Sequence, residues 1–163
     1  MTRLQKPFIA MLREQLYTEQ ELVQTLPTLI SEAADGELQK NLEHHLEETQ
    51  QQVGRLEDAL QQLGEKATPK KSPVMDSLKQ VHEELSSEAD DNTRDVVVAA
   101  AAASTEHYEI SVYEAGIEVA QAAGASEVAK LLKESLKEEE AALGKAQQAV
   151  KKLTEEHAGQ LTQ

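Results

Sequence analysis

Glu19 and Glu48 recur as Glu109 and Glu138 when the chain is displaced by 90 residues against itself, and the overlay needs no gap from Leu12 to Glu65. Carboxylates repeated at matching heights on helices are what oxygen-rich metal sites are built from, and one or two added imidazoles suit such a site to iron or manganese. His45, three residues before Glu48, supplies an imidazole on an adjoining position of one helical face. Its counterpart in the overlay is Ser135, while Glu106, three residues before Glu109, stands where the first half has Leu16. The expected ligands are therefore Glu19, His45, Glu48, Glu106, Glu109 and Glu138, with Glu139 competing with Glu138 because it points more centrally. Two iron ions, with manganese as the alternative, are the expected cofactor.

The case for a cation rests on cost. Glu19 sits at the centre of an apolar stripe made by Ile9, Leu12, Leu16, Val23, Leu26 and Ile30, and Glu109 faces Val98, Ala102, Tyr113, Gly116 and Ala120. Uncompensated carboxylates in such a place are strongly unfavourable. Arg13, Arg55, Lys40, Lys130 and Lys145 are expected to project elsewhere, which leaves protons, water or metal ions to neutralise the acids. Other readings stand beside these. His45 also reads as a hydrogen-bonded core residue, His44 as solvent-facing, and His107 as a surface or dimer-interface residue. Tyr113 reads as a packing residue, with a hydrogen-bond partner of a ligand or a redox-active phenol as the alternatives.

Four long helices must position these groups. The first spans about 8–34, with Pro27 a candidate kink and Asp35-Gly36 a turn. The second carries Leu38, Leu42, His45, Thr49, Gln52, Leu56 and Leu63 along one line. Residues 64–72 are a polar break, and Ser72-Pro73 reads as an N-cap with proline at the first helical position, opening a short helix with Met75, Leu78, Val81 or His82, and Leu85. The third long helix spans about 93–123 and contains the Ala-rich run 96–103, which permits close helix approach; the fourth follows Ser126, an expected N-cap, to about 156. The predicted fold is all-α: a ferritin-like four-helix bundle made of two antiparallel helical hairpins, 8–64 and 93–156, with a crossover at 65–92 and a frayed tail at 157–163. At about 1.5 Å per residue, Glu19 lies about 24 Å before the first turn and Glu48 about 20 Å after it. If the crossover brings both turns to one end, all four repeated acids share a level.

Composition narrows the function classes. The 163 residues include no Cys, no Trp, one Phe, three Tyr and seven Gly, a profile of long helices without a disulfide framework or thiolate site. A net charge of −14 repels phosphate backbones and anionic membranes, so nucleic acid and membrane are not expected partners. Residues 1–10 do not read as a signal peptide, and a soluble cytoplasmic protein is the expectation.

The strings 16–22 (LYTEQEL), 45–49 (HLEET), 106–110 (EHYEI) with Tyr113, and 131–139 (LLKESLKEE) resemble the YciF/YciE family of bacterial ferritin-like stress proteins over about 8–149. The resemblance implies a helical-bundle homodimer with a di-metal-type site and a link to stress responses, without supplying a reaction. The family pattern has an aspartate near position 143, where this chain has Leu143. Two function classes follow. One is a di-iron or di-manganese protein that oxidises metal or consumes peroxide. The other is a non-enzymatic stress or scaffold protein with a vestigial site and dimerisation through the Ala-rich helix.

Overall fold

The computed structural model describes residues 5–159, and these form five helices and no strand. They are α1 (Gln5–Glu32), α2 (Gly36–Gln62), α3 (Pro73–Glu88), α4 (Arg94–Ala122) and α5 (Ser126–Glu156). The end of the expected tail, 160–163, lies outside the described residues.

Local chemistry sets the boundaries. Asp35 caps α2, its carboxylate accepting from the backbone N–H of Glu37 (3.0 Å) and Leu38 (2.8 Å). Ser72 caps α3 as expected, accepting from Met75 N at 3.3 Å with Pro73 at the first helical position. α1 continues unbroken through Pro27. Ser126 is not the cap of α5. There the chain leaves α4 through Gly124 at φ 72°, and Ala125 N–H closes back onto Ala120 O at 2.9 Å. That closure needs a left-handed residue, which glycine adopts without strain, and it puts Ala125 at the cap position.

α1 packs against α2 and α4, and α5 packs against the same two helices, so the four long helices enclose one interior; α3 lies outside, on α4. Asp95 in the first turn of α4 accepts from Ala34 N (2.8 Å) and Asp35 N (2.7 Å), and Lys152 near the end of α5 reaches Asp35 (3.1 Å) and Glu37 (3.0 Å). The α1–α2 link is thus pinned beside the start of α4 and the end of α5. At the other extremity Phe8 and Leu12 of α1 pack with Leu60 of α2, Ile117 of α4 and Val128 of α5. The two inter-helix links therefore lie at opposite ends, so the condition that both turns share one end is not met. The acids still meet, because Glu19 and Glu109 sit near the middle of their helices, a level that survives reversal of direction.

The 90-residue offset is followed by burial. Leu38, Leu42, His45, Thr49, Gln52 and Leu56 are buried on α2, and Val128, Leu132, Ser135, Glu139, Ala142 and Ala146 are buried on α5 at the displaced positions. In this register the inward partner of Glu139 is Thr49. Two apolar clusters fill the ends of the interior. One contains Leu12, Leu16, Leu56, Leu60, Tyr113 and Leu132, the other Leu22, Leu26, Leu38, Leu42, Val98 and Leu153. A polar layer lies between them. It is hemmed in by side chains each of whose burial is worth about 1.5–3 kcal/mol.

Candidate metal centre

The polar layer is made by α1, α2, α4 and α5 together. Glu19, Glu109 and Glu139 are fully enclosed, and His45 and Glu106 are buried. His45, Glu106, Glu109 and Glu139 each offer one ligand atom, and those atoms all lie within 4.8 Å of one another. Glu19 joins them through a shared amide: Gln15 Nε2 donates to Glu19 Oε1 at 3.1 Å and to Glu109 Oε1 at 2.9 Å. Tyr113 O–H donates to the same Glu19 Oε1.

The electrostatics follow from burial without counter-ions. His45 Nε2 approaches Glu106 Oε1 at 3.0 Å. Burial works against charge on this imidazole, yet Glu106, with Glu48 and Glu19 behind it, raises it to about 10. Burial likewise favours the neutral form of Glu106, but the His45 charge holds its carboxyl below the usual range. Burial pushes Glu19 up to about 7 against its hydrogen bonds from Tyr113 and Gln15. Burial, reinforced by Glu19 and Glu106, drives Glu109 well above the carboxylate range, and burial with Glu109 and Glu106 does the same to Glu139. One imidazole cannot neutralise four acids, so without metal the layer holds protons.

This arrangement has a pH signature in metal-free protein. Glu19 is raised from 4.5 to about 7 on folding, so its contribution to stability is complete below pH 4.5 and is lost as pH rises through about 7. The shift corresponds to about 3 kcal/mol. The melting temperature of chelator-treated protein is expected to fall between pH 5 and pH 8, and Glu19→Gln is expected to flatten that fall. Equal slopes for the two proteins, measured by circular dichroism, contradict it.

Of the residues expected from sequence, Glu19, His45, Glu106 and Glu109 come together. Glu48 is at the edge of the layer, 3.7 Å from His45 Nδ1 and 3.3 Å from His44 Nδ1. Glu138 stands apart from the cluster. Its carboxylate takes two hydrogen bonds from Arg55, at 2.6 and 2.7 Å, and one from Gln52 Nε2 at 3.0 Å. Arg55, expected to project elsewhere, is thus the partner of this acid. Glu139, one residue further round α5, occupies the inward position. Gln15 is absent from the expected set, although its place four residues before Glu19 puts both on one face. His44 and His107 are exposed, as expected.

The family model described as "Domain of unknown function (DUF892)" matches residues 3–159. The chain belongs to the DUF892 family. This DUF892 protein is 32% identical over 143 residues to Protein YciF of Escherichia coli (strain K12), with 86% of each chain covered. The crystal structure of the E. coli stress protein YciF superimposes with a TM-score of 0.88 at 29% identity, covering 95% of this chain and 99% of that one. YcfI from Rhodopseudomonas palustris, whose description suggests a structural role, gives 0.87 at 33% identity over 90% and 94% of the two chains. No described helix of the DUF892 protein is long and apolar enough to cross a membrane.

Proposed function

We propose that the protein is a ferritin-like four-helix bundle of two antiparallel hairpins, joined by the crossover that carries α3, and that it binds a dinuclear iron or manganese centre. Glu19, His45, Glu106, Glu109 and Glu139 would hold the metal, with Glu48 at the His45 edge. The observation that carries this reading is a set of buried carboxylate oxygens without hydrogen-bond partners, Glu19 Oε2, Glu106 Oε2, Glu109 Oε2 and both oxygens of Glu139, gathered beside the His45 imidazole. Such orphans are costly, and divalent cations satisfy carboxylate oxygens and imidazole nitrogens together. Two divalent ions would also balance the four carboxylates of the layer.

When bound, the metal pair supplies redox chemistry of the kind used in metal oxidation or peroxide consumption. The chain's own residues prepare the place for it. Gln15 and Tyr113 fix the inner oxygens of Glu19 and Glu109 and so aim the free oxygens at the layer; the apolar clusters exclude bulk water above and below. The relation to the E. coli stress protein supports a stress-associated role, and the reading extends to a cytoplasmic homodimer.

Anaerobically purified protein loaded with iron(II) or manganese(II) is expected to retain about two ions per chain by elemental analysis, and retention below about half an ion overturns the proposal. A non-enzymatic scaffold with a vestigial site is the second reading. It is favoured by the raised pKa of Glu109 and Glu139, which lets protons alone neutralise the layer. It expects Glu19→Gln with Glu109→Gln to leave stability unchanged or improved and no metal to be retained.

A further inference from the structure

A cavity of about 570 Å³ opens between α1, α3 and α4 and ends on His45 and Glu106. The cavity is lined by residues of α1, α3 and α4 and by His45 of α2, so it reaches from the α3 side to the polar layer. Leu22, Leu26, Leu29, Met75, Ala101 and Ala102 give it an apolar side, and Gln24, Thr28, Ser86 and Ser87 add neutral polar groups. The Ala-rich run of α4 thus leaves space at this point, where close helix approach was expected. Thr25 and Thr105 also line it, but their hydroxyls are spent on the carbonyls of Glu21 (2.7 Å) and Ala101 (3.1 Å) in their own helices.

The mouth is selective in charge. Lys79 is paired with Glu21 at 2.6 Å and His82 contacts Glu32 at 3.3 Å, while Glu83 adds a further acid. No cation is left over there for an anionic ligand, and the acids repel one. The inner end is different, because buried Glu106 offers an Oε2 without a hydrogen-bond donor. α3, whose sole buried side chain is Met75, covers the opening through the rim contacts Tyr17–Asp76, Lys79–Glu21 and His82–Glu32.

We propose that this cavity binds a neutral, largely apolar alcohol or phenol, its chain against the leucine and alanine walls and its O–H donated to Glu106 Oε2. The fit of the ligand to the cavity is independent of metal. Only its position next to a metal ion rests on the dinuclear reading, and the experiment separates the two.

The probe is 1-octanol, with octanoate as the charged counterpart. By calorimetry on metal-free protein, octanol is expected to bind at least about tenfold more tightly than octanoate, and Ala101→Leu, which narrows the cavity near its inner end, to weaken octanol at least about tenfold. Equal or tighter binding of octanoate overturns the proposal, as does unchanged octanol affinity in a folded Ala101→Leu protein. Unmodified protein gives an independent reading. Nuclear Overhauser contacts from octanol to the Thr25 and Thr105 methyls are expected, and their absence at saturating octanol is equally fatal. In manganese-loaded protein the octanol protons beside the hydroxyl are expected to broaden more than the terminal methyl. Manganese retention with the reverse order overturns the inward orientation. If no manganese is retained, the dinuclear reading fails, and the Overhauser contacts alone decide the cavity.

Discussion

Glu139→Ala is expected to abolish retention of iron or manganese, whereas Glu138→Ala leaves the stoichiometry intact. The two residues are neighbours on α5 with the same side chain, so the contrast isolates direction. Glu139 points into the layer with both oxygens unpartnered, and Glu138 is held by Arg55 and Gln52. Removing Glu139 takes away an oxygen donor that no adjacent residue replaces. Removing Glu138 breaks a partly buried ion pair worth roughly 1 kcal/mol, which lowers the melting temperature slightly. Elemental analysis of both variants after identical loading checks this. Loss of metal on Glu138→Ala with retention on Glu139→Ala would mean that the inward line of α5 is wrongly assigned.

His45→Leu in metal-free protein is expected to cost about 3 kcal/mol at pH 7, because it strips the sole cation from Glu106 and leaves a buried carboxylate to be protonated or desolvated. The variant adding Glu106→Leu is expected to recover most of that loss, since a buried ion pair exchanged for apolar residues of similar volume is often neutral or better. The pair is well placed for such a cycle: His45 Nε2 and Glu106 Oε1 are 3.0 Å apart, and both residues are buried. Urea denaturation of the four proteins gives the coupling directly. A single-variant cost below about 1 kcal/mol, or no recovery in the double variant, would show that the two do not form a charged pair.

The helices were legible because apolar periodicity and capping chemistry act over a few residues, and four of the six expected ligands come together for the same reason. On α5 the repeat favoured Glu138, although its place on the helix already marked Glu139 as the more central residue. Identity of residue type pairs Glu48 with Glu138, but burial pairs Thr49 with Glu139, and a single step along a helix turns a side chain through about 100°. Gln15 and Arg55 were hidden differently, since an amide bridging two carboxylates and a guanidinium folded onto α5 depend on which helices are neighbours. Beyond Glu19 the buried line of α1 runs through Leu22, Leu26 and Leu29, where the sequence stripe had Val23 and Ile30. α3 carries an apolar pattern, yet Val81 and Leu85 are about half exposed at 52% and 50%. Its length and period give no sign that it would cover a cavity instead of entering a core.

The matching burial of α2 and α5 at a fixed displacement has a consequence for how such a centre can change. In two separate identical hairpins every substitution would be made twice, and a histidine gained on one side would be gained on the other. Within one chain the halves vary independently. An imidazole at position 45 faces a serine at 135, and a carboxylate at 106 answers a leucine at 16. The scaffold stays twofold while the two sides of the polar layer diverge in donor type, which would give each side of the proposed metal centre its own affinity and potential to be tuned.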